Sequence, residues 1–223
     1  MKKAIVLTLG IAPLLVFATD LDQQVPLKGS DYITTDVGAT YIYVYNHLDK
    51  PAKLTPAFDL TVKGCNKSKT KCVYDTVTEM GSDKPYFANE SVYEIKGGVV
   101  YFSSIKGGKP DGTTVDIDSK PQELFPKEII LNKIDTINYS DEMSDNQGTS
   151  VFTKVIPEIV INGNTYKNCI RMDNNVNNCY KNKDDSSKSC HHIIDYEIYC
   201  KGVGLVTENI DGDTLLLEKI TKK

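Results

Sequence analysis

The chain has 223 residues and a formal net charge of −4, with 26 lysine and arginine side chains against 30 aspartate and glutamate side chains. Arg171 is the single arginine, and the lysines form no dense stripe. Nucleic-acid binding is therefore disfavoured, because it needs concentrated positive charge to displace counterions. The length suits one domain, or two small ones, with a core that does not depend on disulfide bonds.

The N-terminus has the pattern of an export signal. Two lysines follow Met1, an apolar run extends from Ala4 to Phe17, and Val16-Phe17-Ala18 offers aliphatic and small residues to a signal peptidase. The run is shorter than the ~20 residues that a membrane helix needs, and no later segment is apolar enough to span a bilayer. We expect residues 1–18 to be a signal peptide and 19–223 to be one exported, soluble β-rich domain.

The remaining sequence predicts strands and very little helix. Segments dense in β-branched, aromatic and aliphatic residues recur between turn residues, at 40–45, 60–62, 73–77, 91–95, 98–102, 128–131, 135–139, 158–161, 165–167, 204–208 and 215–219. Lys96-Gly97, Asn162-Gly163 and Asp211-Gly212 lie between such segments. The last two pairs tolerate positive φ and favour tight hairpins. No stretch shows helical apolar spacing over several turns, so the fold class is mainly β.

Two segments have weak strand signals. Residues 119–127 contain Pro121 and Pro126, which predicts a connector between possible halves at 19–120 and 121–223. Residues 140–149 are polar, which predicts a mobile loop.

The six cysteines indicate three disulfide bonds in an oxidising compartment. Cys65 and Cys72 flank a polar loop between two strand-like segments, as at the mouth of a hairpin. The pairs Cys169–Cys200 and Cys179–Cys190 have the same residue-number sum, 369. In an antiparallel hairpin, the numbers of two residues that face each other always add up to the same value. One ribbon that folds about Asp184 and Asp185 would therefore place both pairs opposite each other on one face.

Three stretches resemble a broad group of exported bacterial β-rich proteins of unknown function. Residues 158–170 are similar to that group's V-x-V-P-A-G-x-F-K-x-C-L segment, although Ile161-Asn162 stands where Pro-Ala is usual. Residues 199–206 resemble its Y-Y-A-K-G-V-G-L-V signature, and residues 31–43 resemble its Y-F-P-x-x-x-G-x-x-W-x-Y opening. The resemblance implies an antiparallel curved sheet or half-barrel with few short helices. It implies a bacterial protein that is periplasmic or secreted, and no particular activity.

A calcium loop is the best metal candidate in the sequence, and it is a poor one. The oxygen-bearing side chains Asp173, Asn175, Asn177 and Asp184 fall at positions 1, 3, 5 and 12 of the template. Position 6 lacks glycine, position 12 is not glutamate, and no helices flank the loop. We therefore expect a solvated strand here, with no metal and no cofactor.

Tyrosine provides the main functional hint, since the chain has 13 tyrosines and no tryptophan. Tyr41, Tyr43 and Tyr45 alternate along one strand and share a face, either as an ordinary core edge or as a binding surface. No catalytic residues are assigned. We expect a non-enzymatic exported protein that binds a lipid, a peptide or an envelope protein.

The alternative is a cell-envelope hydrolase with an acid pair or a histidine–acid site. Asp116 and Asp118 alternate on one strand, and a histidine site would need His47, His191 or His192.

Overall fold

The computed structural model describes residues 26–49, 53–78, 84–117, 119–140, 144–181 and 188–222. The predicted signal peptide, residues 1–18, lies outside them. The described residues form one 3-10 helix, Gly29–Tyr32, and thirteen strands: β1 (Ala39–Asn46), β2 (Leu54–Cys65), β3 (Lys71–Thr78), β4 (Tyr86–Lys96), β5 (Val99–Gly108), β6 (Thr114–Asp116), β7 (Gln122–Phe125), β8 (Ile134–Ser140), β9 (Ser144–Ile161), β10 (Asn164–Lys181), β11 (Lys188–Cys200), β12 (Gly204–Ile210) and β13 (Asp213–Lys222). None of the helical structure in these ranges is long and apolar enough to cross a membrane.

All thirteen strands belong to one antiparallel sheet that is not closed, which confirms the predicted fold class. The order is β6-β5-β4-β3-β2-β1-β13-β12-β11-β10-β9-β8, and β7 pairs with β5 outside this path. Strands β1–β6 form one block and β8–β13 form another, and the pairing of β1 with β13 joins the blocks into a continuous sheet. β7 follows the proposed boundary at residue 121 but pairs with β5 of the first block.

Contacts between distant strands show how strongly the sheet curves. Seven strand spacings separate β5 from β11, which would be about 34 Å in a flat sheet. Phe125 on β7, beside β5, nevertheless packs edge-on against Tyr199 of β11, with ring centroids 4.8 Å apart. Phe125 also contacts Phe152 of β9, at 6.1 Å. The two ends of the sheet therefore face each other across a shared interior.

Two chain segments close part of this interior. Leu27 and Ile129 form a bridge, in which the Ile129 N–H donates to the Leu27 carbonyl at 2.8 Å. Gly29 lies so close to the segment after β7 that an added Cβ would be 2.3 Å from the Pro126 carbonyl oxygen. Glycine is therefore required where the 3-10 helix crosses this segment, and the crossing holds residues 32–34 over the concave face.

The hairpin turns follow the predicted chemistry. Asn162 and Gly163 have φ values of 47° and 77° between β9 and β10, and Asp211 and Gly212 have 51° and 97° between β12 and β13. Positive φ at both central residues matches the twist of the flanking strands. The turn between β4 and β5 lies one residue beyond the predicted pair, at Gly97 and Gly98.

The C-terminal ribbon consists of β10 and β11. Cys169 faces Cys200 and Cys179 faces Cys190 in a single register. Both pairs are disulfide-bonded, with Cα atoms 3.9 Å and 4.0 Å apart. Cys65 and Cys72 are bonded across the end of the β2–β3 hairpin, with Cα atoms 4.1 Å apart. The proposed fold point at Asp184 and Asp185 lies outside the described residues.

The prediction of a loop at 140–149 is wrong. Residues 144–149 begin β9, which pairs with β8 on one side and with β10 on the other. Gly148 shows why a polar segment forms strand here: an added Cβ would lie 2.1 Å from the Asn175 carbonyl oxygen, so the backbones of β9 and β10 approach closely. Strand pairing rather than side-chain hydrophobicity stabilises this segment. The predicted connector at 119–127 likewise contains a strand, β7.

Candidate functional site

The concave face of the sheet contains a cleft of about 330 Å³ between the two blocks of strands. Its walls are mainly aromatic and aliphatic, and residues 32–34 and Leu124 close one side. The described lining residues are Tyr32, Ile33, Thr34, Tyr43, Phe58, Leu60, Tyr74, Thr76, Asn89, Ser91, Tyr93, Phe102, Leu124, Tyr199, Val203, Gly204 and Leu205. None of these seventeen side chains is charged.

Two groups of aromatic rings in mutual contact form the wall on β1 to β5. Tyr43 stacks on Phe58 with ring centroids 4.7 Å apart. Tyr93 meets Tyr74 edge-on at 4.7 Å and Phe102 at 5.3 Å. These contacts follow from cross-strand neighbours on one face of a twisted sheet. They hold the rings in place before any ligand arrives.

Three tyrosine hydroxyls in the wall are already used within the protein. Tyr43 donates to the Leu205 carbonyl at 2.8 Å, and Tyr74 donates to the Thr34 carbonyl. Tyr199 donates to Glu197 at 2.8 Å. Burial raises the pKa of each phenol, so all three stay protonated and keep donating. With their polar tips engaged, these side chains present mainly ring carbon to the cleft.

An acid pair lies next to the cleft, at positions that the sequence interpretation missed. Glu197 on β11 directly faces Glu208 on β12. Burial raises the pKa of Glu197 to about 8, and repulsion from Glu208 adds to the effect. Burial also raises the pKa of Glu208 to about 7, with a further contribution from Asp195. Glu197 therefore holds its proton at neutral pH, which keeps the charge of this part of the interior low.

The acid pair of the hydrolase alternative is described only at Asp116, which does not line the cleft. Asp116 lies on the exposed edge strand β6, and Asp118 lies outside the described residues.

His47 lies in a chain of hydrogen bonds at one end of β1. Its Nδ1 is 3.0 Å from Asp213 Oδ2, and its Nε2 is 2.9 Å from Thr55 Oγ1. The Leu48 N–H donates to the second Asp213 oxygen at 2.9 Å. The hydrogen bond from Leu48 makes the largest contribution to lowering the pKa of Asp213, and the hydrogen bond with the His47 ring makes the next largest. A hydroxyl, an imidazole and an ionised carboxylate in this order have the connectivity of an activated nucleophile. None of the three side chains lines the cleft.

The three tyrosines predicted as a binding surface lie in different surroundings. Tyr43 lines the cleft. Tyr41 is buried, and its hydroxyl pairs with that of Thr34. Tyr45 stacks beside His47 at 5.6 Å. Only one of the three therefore reaches the candidate site.

The residues that fit the calcium-loop template, where we expected no metal, have other partners where they lie on β10. Asp173 accepts from Arg171 at 2.5 Å and from Thr153 at 2.6 Å. Asn175 Oδ1 is 2.7 Å from His192 Nε2, and Asp184 lies outside the described residues. Within the described ranges, no group of three histidine, cysteine or acidic side chains is placed to hold a metal ion.

The sequence carried a weak signal for the cleft residues that it missed. Asn89, Ser91 and Tyr93 alternate along β4, which is the pattern of one strand face. The pattern does not say which face is concave. It also does not say that Tyr199 and Leu205, more than a hundred residues later, complete the opposite wall.

No family model and no curated protein matches this chain. Two solved structures share its fold. A "putative lipoprotein" from Parabacteroides distasonis ATCC 8503 is 13% identical, with a TM-score of 0.54 over 85% of this chain and 98% of the other. A "putative exported protein with YmcC-like fold" from Bacteroides fragilis NCTC 9343 is 11% identical, with a TM-score of 0.52 over 86% and 99%. At these identities the likeness shows the fold alone.

Proposed function

We propose that this protein is an exported, non-enzymatic binding protein that holds a lipid in the aromatic cleft. The cleft itself carries the proposal. About 330 Å³ of space lies beside aromatic rings, and the hydroxyls of Tyr43 and Tyr74 already donate hydrogen bonds to backbone carbonyls. Ligand sites in proteins typically have volumes of about 300–1,000 Å³ and mostly apolar walls. An alkyl chain in contact with these rings would leave water without exposing an unpaired polar group.

Three observations support an exported location. The N-terminal residues have the pattern of a signal peptide, all six cysteines are disulfide-bonded, and both structural neighbours carry names that place them outside the cytoplasm. Disulfide bonds persist in oxidising compartments such as the periplasm.

A lipid fits the site better than the other partners considered. A bound peptide strand gains most of its affinity from main-chain hydrogen bonds along a free sheet edge. The cleft lies instead against side chains inside the curve of the sheet, between β1–β5 and β11–β12. A protein partner would need a broad surface of about 800 Å² on each side, which a cleft of about 330 Å³ does not provide.

Binding of N-phenyl-1-naphthylamine, an uncharged fluorescent probe, tests this proposal. We expect the wild-type protein to enhance probe fluorescence, and 1-decanol to displace the probe. Leu124→Trp should weaken probe binding at least about fivefold, because the larger ring would occupy space at the cleft wall.

Leu48→Trp is the matched control, because Leu48 is 70% exposed and lies away from the cleft. It should leave the affinity unchanged. Equal affinity in the wild type and both variants, or no probe binding at all, would contradict a ligand site in the cleft.

Hydrolysis of an ester is a second candidate function, favoured by the Thr55–His47–Asp213 chain of hydrogen bonds. Thr55 Oγ1 would attack the ester carbonyl while His47 takes the hydroxyl proton. The alcohol would leave with that proton, and water would then release the acid from Thr55.

Turnover of p-nitrophenyl acetate distinguishes this activity from non-specific catalysis by surface imidazole. For the candidate activity, Thr55→Val and His47→Ala should each reduce turnover at least about tenfold, while His192→Ala leaves it unchanged. Turnover that is absent, or that survives Thr55→Val, would exclude the mechanism.

A further inference from the structure

The cleft has one polar corner in an otherwise apolar wall. Thr76 on β3 faces Asn89 on β4, and Tyr74 faces Ser91 in the same register. Asn89 and Ser91 are two residues apart on one strand, so their side chains point to the same face. All three polar side chains line the cleft, opposite Tyr199 and Leu205.

Asn89 supplies an acceptor that the protein does not use. Its Oδ1 atom exposes less than 1 Å² to solvent and accepts no hydrogen bond from the chain. A buried carbonyl oxygen without a donor is unfavourable, and native structures contain few of them. Thr76 and Ser91, beside it on the same wall, provide hydroxyls that can pair with a second polar atom. The corner is therefore suited to a small group that donates a hydrogen bond.

The absence of charge among the described lining residues restricts the ligand further. A carboxylate or phosphate would lose its hydration in the cleft without meeting a lysine or arginine, which is strongly unfavourable. Glu197, which accepts a hydrogen bond from the lining residue Tyr199, holds its proton at neutral pH. A cationic head group would therefore meet no ionised carboxylate among the described lining residues.

We infer that the cleft selects an uncharged single-chain lipid, and that the Asn89 amide turns toward the cleft so that its Oδ1 accepts a hydrogen bond from the hydroxyl or amide of the head group. The inference rests on the proposed lipid-binding function and adds the class of head group. The alkyl chain lies along Phe58, Tyr93, Phe102 and Leu205, and the head group lies at Thr76, Asn89 and Ser91.

Isothermal titration calorimetry of the wild-type protein with three ligands of similar length tests the inference. 1-Decanol has a donor, methyl nonyl ether lacks it, and decanoate is charged. We expect decanol to bind about tenfold more tightly than the ether, since one hydrogen bond to an otherwise unpaired buried acceptor supports such a ratio. Decanoate should bind more weakly than decanol.

Asn89→Leu keeps the approximate size of the side chain and removes the acceptor. It should bring the decanol-to-ether affinity ratio close to one, and it should raise the melting temperature by removing the unpaired oxygen. Asn46→Leu is the matched control, because Asn46 Oδ1 is also buried without a partner and does not line the cleft. That variant should raise the melting temperature and leave the ratio unchanged.

The outcomes separate the two proposals. If all three ligands bind equally, or if Asn89→Leu keeps the tenfold preference, the head-group inference is wrong while lipid binding stands. Tighter binding of decanoate than of decanol would also overturn the inference. If no decyl ligand binds the wild type, the proposed function fails and the head-group inference fails with it.

Discussion

Replacing Cys169 and Cys200 together by alanine should lower the free energy of unfolding by about 4 kcal/mol. The bridge joins residues with a sequence separation of 31, for which the chain-entropy estimate alone approaches this value. Both side chains are fully buried in the larger core cluster, so their removal also leaves unfilled space. Urea titration of the full chain, followed by far-ultraviolet circular dichroism, measures the loss directly.

The second bridge of the same ribbon provides the control. Cys179 and Cys190 have a separation of only 11 and lie inside the loop that the first bridge closes. Cys190 is also exposed. Replacing this pair by alanine should therefore cost less, about 2.5 kcal/mol, while the Cys169–Cys200 bridge is intact, because the loop that it closes is shorter. Equal losses of stability at the two bridges, or a larger loss at Cys179–Cys190, would contradict this account.

The stability of the protein should fall as pH rises from about 5 to about 8. An isolated glutamate releases its proton near pH 4.3, whereas the folded protein raises the pKa of Glu197 to about 8 and that of Glu208 to about 7. Between these limits the folded state binds more protons than the unfolded state, so each rise in pH favours unfolding. Above the folded-state values both states are ionised, and the dependence should disappear.

Glu197→Gln should remove the part of this pH dependence that Glu197 contributes and leave the part from Glu208, because glutamine can still accept the Tyr199 hydrogen bond and cannot ionise. We expect the variant to exceed the wild type by about 2 kcal/mol at pH 8.5 and to differ little from it at pH 5. This free energy is smaller than the one that corresponds to the full pKa shift of Glu197. The reason is that Glu197 and Glu208 repel each other when ionised and therefore titrate as a coupled pair. Urea titrations at a series of pH values measure both effects.

Glu158→Gln serves as the control, because its side chain is 53% exposed and faces Lys167 at 3.6 Å. It should change stability by a few tenths of a kcal/mol at every pH. A wild-type stability that stays constant from pH 5.5 to pH 8.5 would show that the acid pair does not hold its protons in the folded state.

Local sequence features explain which parts of the fold were predictable. The Asn162-Gly163 and Asp211-Gly212 turns need positive φ, and residue type reports that need directly. The long ribbon was predictable because a hairpin has one register, and the cysteine spacing encodes it. The start of β9 was not predictable, because residues 144–149 are polar and gain their order from β8 and β10 on either side.

The residues of the candidate site also divide into some that local sequence patterns predict and others that they do not. Tyr43 was identified because aromatic residues alternate along β1. Tyr199, Glu197 and Leu205 carried no such pattern, and their importance depends on which strands meet across the interior.

By itself, the sequence determined the strand content, the tight turns and the pairing pattern of the ribbon, because each depends on residue type and spacing along one segment. Only the tertiary structure decided which face became concave and that Phe125 reaches Tyr199. It also decided that Glu197 faces Glu208 and that burial raises the pKa of both carboxyls. Curvature, burial and proton affinity are properties of segments far apart in the chain that pack together, and a local pattern does not contain them.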